Sequence, residues 1–167
     1  MTDKSFLSQL RFKFQIKKLP TFTEYVQSVD FPGISVGEVD GVQNPFQRLV
    51  IAGEHMTFDN LSVKFKLDGD MKNYTEIFDW MKGLGKPSNF DQYRVLAEKN
   101  PMSGEGPQVD ASLTVMNASS HPIIRFDFYD MYPNDLSGFT FDYTDTDVQF
   151  VTANARFSYR QYTYTRL

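Results

Sequence analysis

The sequence predicts a mainly β protein with one amphipathic helix at about residues 70–82. Just before the helix, apolar residues occupy every second position, which is typical of a half-buried strand: Leu61, Val63, Phe65 and Leu67. The period then changes to that of a helix, with apolar residues at i, i+3, i+4 and i+7: Tyr74, Ile77, Phe78 and Met81. Elsewhere Phe, Tyr and Thr recur in short alternating runs, which favour strands. The single helix therefore needs a sheet to lie on.

Residues that commonly begin and end helices flank this segment. Asp70 can cap the start, because its carboxylate can accept hydrogen bonds from free backbone amides. Gly83 and Pro87 follow the last apolar position, and both residue types are typical of a helix end. Beyond them we predict irregular structure over residues 83–108, with a helical turn at residues 91–97.

Further strands are predicted wherever alternating apolar residues lie between turn residues: 10–17, 22–29, 109–116, 123–129, 139–143 and 148–164. Tyr132-Pro133 is interpreted as part of a turn. The last strand would contain about 15 residues and measure roughly 50 Å, far more than the usual five or six residues. A strand of that length must bend or continue onto another molecule.

Residues 34–57 are predicted to form a long extended arm. They contain three Gly and one Pro and show no sustained alternation, so we expect only a short strand, near residues 47–51. Several apolar residues argue against disorder: Phe46, Leu49, Val50 and Ile51. An arm that lies on a neighbouring subunit would bury them.

Length and composition predict one domain, residues 1–167, with enough apolar side chain for a core. The net charge of −4 gives no electrostatic reason to expect nucleic acid or an acidic membrane as a ligand. The chain has no Cys, which excludes disulfides and Cys-based zinc sites. The N-terminus lacks an apolar leader, so we expect synthesis and assembly in a cytoplasm.

No constellation of residues predicts catalysis. His55 and His121 lie near turns, and neither has a second His or Cys at ligand spacing. The acidic clusters at residues 68–70 and 142–147 match no calcium-loop spacing. We therefore predict no enzyme activity, no metal and no cofactor.

The order of features from residue 48 to residue 80 resembles the tail tube proteins of contractile-tailed bacteriophages. The resemblance rests on a basic residue followed by short motifs, an alternating strand, an acidic turn and a helix: Arg48, Ile51-Ala52-Gly53, Thr57-Phe58-Asp59 and Asp79-Trp80. It extends over about residues 10–160. Residues 83–108 match the pattern less well.

This resemblance implies a β-sandwich or small barrel of antiparallel strands with one flanking helix. Six copies would form a ring, and stacked rings would form the hollow tube through which DNA is ejected inside a contractile sheath. Type VI secretion and pyocin tubes share this plan. The protein would be a structural virion component of a phage tail, assembled in the host cytoplasm.

The partners that the resemblance implies are other proteins of the tail: further copies of this chain, the tail sheath protein, the tape measure protein in the lumen, and baseplate, hub and terminator proteins. DNA would pass in transit without specific binding, and no membrane anchor is expected. Nine residues are candidates for contacts between subunits or rings: Phe46, Arg48, Leu49, Val50, Ile51, His55, Phe58, Tyr162 and Tyr164. Four acidic residues are candidates for the lumen: Asp127, Asp142, Asp145 and Asp147.

Three functions remain open at this level. The leading hypothesis is a subunit of the main tail tube. The second is an accessory ring with the same fold, either a tube initiator at the baseplate or a tail terminator. The third is a monomeric β-barrel that binds an apolar ligand, although the long arm and the mid-chain helix argue against it.

Overall fold

Strand β7 (Pro122–Leu136) belongs to two antiparallel sheets and joins them. The computed structural model describes residues 7, 11–41, 45–85, 88–98, 106–143 and 149–167. The first half of β7 pairs with β6 (Val109–Met116) on one side and β9 (Gln161–Arg166) on the other. Strand β1 (Phe12–Ile16) pairs with β6. We call this four-stranded arrangement, β1-β6-β7-β9, sheet 1.

The second half of β7 pairs with β8 (Thr152–Ser158), which is followed by β5 (Leu61–Lys66) and β2 (Val26–Asp30). We call β7-β8-β5-β2 sheet 2. The mainly antiparallel class predicted from the sequence is confirmed. The two sheets stay open and do not close into a barrel.

Strand β7 changes partners at Asp130, whose backbone has a φ of 54°. Asp tolerates this left-handed conformation better than most residues. Its carboxylate forms an ion pair with Arg160 at 2.8 Å, and the amide of Arg160 donates to the carbonyl of Tyr129 at 3.0 Å. Arg160 lies in the break between β8 and β9. The single long strand predicted for residues 148–164 is therefore wrong, because two shorter strands pair with β7 on either side of this corner.

The long strand is instead β7, which runs through the predicted turn at Tyr132-Pro133. Pro133 pairs with Phe157 of β8. Among the described strands, the second half of β7 has a neighbour, β8, on one side only. It is therefore an edge strand there, and an edge strand tolerates proline, which has no backbone N–H. The prediction for residues 109–116 is confirmed by β6. No strand forms at residues 139–143.

The predicted helix is confirmed as α2 (Lys72–Gly85). The helix continues through Gly83, contrary to the prediction, and ends at Gly85. Gly83 instead allows α2 to pack closely against α3 (Asp91–Ala97), because a side chain there would collide with Leu96. Asp70 lies two residues before α2 and forms an ion pair with Lys72 at 3.4 Å rather than capping the helix. Helix α3 confirms the helical turn, so residues 83–108 are only partly irregular. No helix among the described residues is long and apolar enough to cross a membrane.

The predicted strand at residues 22–29 is wrong in its first half, where helix α1 (Pro20–Glu24) precedes β2. Pro20 suits the first turn of a helix, because its fixed φ is helical and no bond needs its missing N–H. The helix places Phe22 in the core, with its ring 4.8 Å from that of Phe65 and 6.0 Å from that of Phe157.

The core lies between the inner faces of the sheets and under α2. Trp80 is its largest side chain, and its indole N–H donates to the carbonyl of Pro107 at 2.9 Å. Asn73 is fully buried, and its amide joins β5 to α2: Nδ2 donates to Lys66 O at 2.6 Å and Oδ1 accepts from Asp68 N at 3.2 Å. Both polar groups of the side chain are thus satisfied, as burial requires.

Candidate assembly interface

Residues 34–40 and 50–58 form the two strands of a β-hairpin that stands apart from the two sheets. Among the described strands, β3 (Ile34–Asp40) and β4 (Val50–Phe58) pair only with each other. This corrects the prediction of an arm with one short strand near residues 47–51. The alternation of apolar and polar residues in β3 is interrupted by a register shift between Val36 and Glu38. At this shift the backbones of Gly53 and Gly37 approach closely. A Cβ on Gly53 would lie 2.6 Å from the Gly37 carbonyl oxygen, so only glycine fits there.

The hairpin exposes large apolar side chains along both strands and at its tip: Ile34, Val36, Val39, Phe46, Leu49, Val50, Ile51 and Met56. The side chain of Phe46 is 94% exposed. Large exposed apolar areas often mark interaction sites in soluble proteins. Sequence reasoning missed Ile34, Val36, Val39 and Met56. Their alternation was the available signal, and Gly37 interrupts it.

An aromatic cluster fastens the base of the hairpin to sheet 1: Phe31, Phe58, Phe126, Phe128, Tyr159 and Tyr162. The ring of Phe58 lies 5.4 Å from that of Tyr162, and the ring of Phe31 lies 4.6 Å from that of Phe126. Two predicted interface residues, Phe58 and Tyr162, are half-buried in this cluster, where they help to orient the hairpin.

Tyr159 adds a polar contact to this base. Its hydroxyl donates to the carbonyl of Asp59 at 2.8 Å. Burial, followed by the nearby Tyr162 and Asp59, raises the pKa of the Tyr159 phenol above its ordinary value. The phenol consequently remains a hydrogen-bond donor at neutral pH.

An ion pair and a backbone hydrogen bond close the far end of the hairpin. Arg48 Nε lies 2.7 Å from Asp40 Oδ1, and the amide of Gly41 donates to the carbonyl of Leu49 at 2.9 Å. The Arg48 and Asp40 side chains are mostly exposed, so the pair contributes less than about 1 kcal/mol. His55 is exposed on β4.

Sheet 1 ends in two open edges. Among the described strands, β1 pairs only with β6, and β9 pairs only with β7. Tyr164 is exposed on β9. Unpaired strand edges carry free backbone donors and acceptors, so they readily add a strand from another chain.

The outer face of sheet 1 is polar. Strand registers align Gln15 with Ser112, Ser112 with Asp127, and Asp127 with Thr163, one residue from each strand. A groove of about 790 Å³ lies over this face. Its charged side chains balance in number: Lys13, Lys17 and Arg125 against Glu24, Asp110 and Asp127. We call this surface the polar face.

The structure separates the predicted lumen residues. Asp127 lies on the polar face, where Arg125 Nε is 3.1 Å from its Oδ1. Asp142 lies in a different groove, beside Phe141 and Phe150. Asp145 and Asp147 lie outside the described residues. The described part of the chain contains no group of three His, Asp or Glu side chains arranged to hold a metal ion.

Known proteins resemble this chain in sequence and in fold. No protein-family model matches it. The chain is 31% identical over 144 residues to the tail tube terminator protein of Enterobacteria phage T4, and the alignment covers 84% of this chain and 77% of the T4 protein.

Two solved structures share the fold. A chain from the tube-terminating cap of the anti-feeding prophage matches with a TM-score of 0.68 and 10% identity, covering 100% of this chain and 95% of the other. A chain from the sheath/tube terminator of the PVC extracellular contractile injection system matches with a TM-score of 0.59 and 13% identity, covering 98% and 99%. At these identities the likeness shows the fold alone.

Proposed function

This chain belongs to the tail tube terminator family of contractile-tailed bacteriophages, and we propose that it forms the ring that terminates a tail tube. The observation that carries the proposal is the 31% identity to the T4 terminator over 84% of the chain. Membership in this family makes the chain a structural component of a phage tail. The prediction that it is not an enzyme is thereby confirmed.

The terminator is better supported than the main tube subunit, which the sequence alone favours. The relative described above that matches in sequence is a terminator. Between the two accessory positions, this sequence match favours a terminator over an initiator at the baseplate. A terminator would differ from a tube subunit in the number of copies per tail, because it would form a single ring whereas tube subunits form many stacked rings.

Ring formation is proposed to use the two open edges of sheet 1. Strand β1 of one copy would pair with β9 of the next, so that sheet 1 continues from subunit to subunit. Such a contact is heterologous, and it closes into a ring when the rotation per copy divides the circle, here into about six. Pairing would satisfy backbone groups that stay unpaired in the isolated subunit.

In this ring the polar face is proposed to line the passage. Its balanced charges, with Arg125 tied to Asp127, give little long-range attraction for DNA phosphates. A neutral polar wall lets DNA pass without being held. Asp127 is the predicted lumen residue that lies on this face, so it would line the passage.

The apolar hairpin is proposed to reach the neighbouring subunit or the adjoining tube ring. Phe46 and Ile51 are exposed in the subunit, whereas Phe58 and Tyr162 hold the base of the hairpin. Family membership supports assembly with other tail components. Contacts with the sheath protein and with the tape measure protein remain predictions.

The test is the number of copies per particle. Quantitative mass spectrometry of purified tails, calibrated against the major tube protein of the same particles, should give about six copies. Cryo-microscopy should then show one ring of this chain at one end of the tube. Dozens of copies along the tube would contradict the proposal and support the main tube subunit instead.

A further inference from the structure

A groove between the three helices lies beside the open edge of β1. Its volume is about 680 Å³, and its buried lining residues form an apolar floor: Leu19, Trp80, Gly83 and Leu96. Lys17, one residue beyond β1, and Val95 of α3 also line it. None of the hairpin residues that the structure describes lines this groove, so the subunit does not fill it with its own hairpin. We call this surface the helix groove.

One row of paired residues crosses sheet 1 from the helix groove to the base of the hairpin: Ile16, Ala111, Phe128 and Tyr162. At one edge of the sheet, Ile16 ends β1 directly before Lys17 of the groove. At the other edge, the ring of Tyr162 lies 5.4 Å from that of Phe58 at the base of the hairpin. The groove and the hairpin therefore lie at the same level on opposite edges of sheet 1.

Both features lie on the core side of sheet 1. Leu19 and Trp80 of the groove belong to the core, and so does Phe128, whose ring lies 5.5 Å from that of Tyr162. In the proposed ring, β1 of one copy lies beside β9 of the next. The hairpin of that next copy then stands beside the helix groove of the first. Strand β4 has nine residues and extends roughly 30 Å from its base, enough to span the groove.

The charges of the two surfaces are complementary. The groove is lined by more cations than anions: Lys17, Lys18 and Lys82 against Glu76 and Asp79. Residues 34–58 carry more acidic than basic residues: Glu38, Asp40 and Glu54 against Arg48. Arg48 is paired with Asp40, whereas Glu38 and Glu54 are exposed. Contact between the two surfaces would bring opposite charges together and cover the exposed apolar residues of the hairpin, which favours this pairing.

Lys18 is already oriented within the groove. Its ammonium group donates to the carbonyl of Gly106 at 2.6 Å and lies over the ring of Trp80, 5.0 Å from the centroid. A cation that is held in place before binding loses little side-chain entropy when an acidic partner approaches. The groove therefore suits an acidic partner with apolar side chains.

We propose that β3 and β4 of one copy dock in the helix groove of the neighbouring copy of the same ring. This inference rests on the proposed function, because the ring brings the two surfaces together. It selects the neighbouring subunit, rather than the adjoining tube ring, as the partner of the hairpin. The contact is heterologous, with a hairpin on one copy and a groove on the next, so the rotation that pairs β1 with β9 also closes it.

Cross-linking between the two surfaces tests this contact in purified tails. The chain contains no Cys, so Ile51→Cys with Val95→Cys introduces the only thiols. A short bismaleimide should then produce a ladder of covalent oligomers that ends at about six subunits. Val39→Cys or Met56→Cys, each with Val95→Cys, covers neighbouring positions on the hairpin. Ile51→Cys with Lys64→Cys, on the outer face of sheet 2, is the control and should give no ladder. Absence of a ladder from all three groove pairs overturns the proposal.

Exchange of charges tests the electrostatic part of the contact. Lys82→Glu in the groove and Glu38→Lys on the hairpin should each weaken association of the chain about fivefold or more, because each brings like charges together. The two changes combined should recover most of this loss, which a folding defect would not allow. Lys64→Glu, the same change of charge outside the groove, should leave association unchanged. Sedimentation velocity over a range of concentrations measures association. Unchanged association of both single variants, or a loss that the combination does not recover, overturns the proposal.

The edge pair Gln15→Cys with Thr163→Cys and the number of copies per tail separate this inference from the proposed function. Ladders from the edge pair and from a groove pair, in tails with about six copies, support both. A ladder from the edge pair alone in such tails overturns the inference and leaves the proposed function standing. A ladder from a groove pair in tails that carry dozens of copies overturns the proposed function, while the contact between hairpin and groove stands.

Discussion

At the scale of single residues, Asn73 shows how a buried polar group fixes a connection between two elements. Its side-chain amide donates to the carbonyl of Lys66, the last residue of β5, and accepts from the backbone amide of Asp68, two residues beyond the strand. The side chain lies in the first turn of α2. One residue therefore ties the start of the helix to the end of the strand.

Asn73→Ala should lower the free energy of unfolding by about 1–3 kcal/mol, because it leaves the Lys66 carbonyl without its buried donor. The midpoint of thermal unfolding should fall by several degrees. Thr75→Ala, two residues further along α2, is the matched control. Its hydroxyl is exposed and bonds only to helix carbonyls, so its loss should stay below about 0.5 kcal/mol. Equal losses in the two variants would contradict the role given to Asn73.

The raised pKa of Tyr159 predicts a loss of stability in alkali. The folded chain holds the phenolic proton more tightly than the unfolded chain, whose tyrosines titrate near pH 10. Stability is therefore fully present below about pH 10 and falls as the pH rises further. Tyr159→Phe should be less stable at neutral pH, because it loses the bond to Asp59 O, but its stability should decline less between about pH 10 and 12.

Urea unfolding at a series of pH values measures this difference. Tyr25, whose pKa is raised by its hydrogen bond to Asp68, is present in both proteins and affects both curves alike. If the free energy of unfolding falls with pH equally in the wild type and in Tyr159→Phe, ionisation of Tyr159 does not contribute to the loss of stability in alkali.

At the scale of elements, the hairpin combines an apolar surface with a fixed base. The aromatic cluster holds its base, while most of β3 and β4 is exposed. An element with so few contacts to the core contributes little to the stability of the subunit. We therefore expect its apolar residues to act in assembly rather than in folding.

Phe46→Asp should leave the free energy of unfolding within about 0.5 kcal/mol of wild type, because the ring is exposed in the subunit. Assembly should weaken about tenfold or more, because an aromatic contact is replaced by a charge. Ile51→Asp should behave alike, and Gln47→Asp is the matched control for the added charge. Thermal unfolding and native mass spectrometry give the two readouts. If Phe46→Asp unfolds the subunit instead, the hairpin belongs to the core of the subunit and the proposed role in assembly is contradicted.

At the scale of the whole molecule, the proposed ring closure depends on the two open edges of sheet 1. Strands β1 and β9 lie on opposite sides of β6 and β7. Three strand spacings separate them by about 14 Å, well beyond the reach of a disulfide. A bond between β1 and β9 must therefore join two different subunits.

This geometry gives a test of ring closure by cross-linking. The chain contains no Cys, so Gln15→Cys with Thr163→Cys introduces the only thiols. Oxidation should produce a ladder of covalent oligomers that ends at about six subunits. Lys13→Cys with Thr163→Cys and Gln15→Cys with Thr165→Cys cover neighbouring registers. Ser112→Cys with Thr163→Cys should give no ladder, because β6 is covered on both sides. Failure of all three edge pairs would exclude pairing of β1 with β9.

The sequence by itself determined the elements whose signal is local. The periods of β5, β6 and α2 depend only on near neighbours, and the three elements occur where those periods predict them. The exposed apolar residues near Phe46 and the resemblance to tail tube proteins could also be read directly. These features suffice for the fold class and the family.

Only the tertiary structure decided how distant segments meet. The turn of β7 at Asp130 depends on Arg160, 30 residues later, and no local period records that ion pair. Phe58 and Tyr162 are aromatic residues suited to an interface, yet within the subunit their rings contact each other, and Tyr162 also contacts Phe31 and Phe126. The hairpin likewise required the pairing of Val36 with Met56 across an irregularity at Gly37. Strand pairing and side-chain contact are long-range events, so their outcome depends on all the partners together and not on any one stretch of chain.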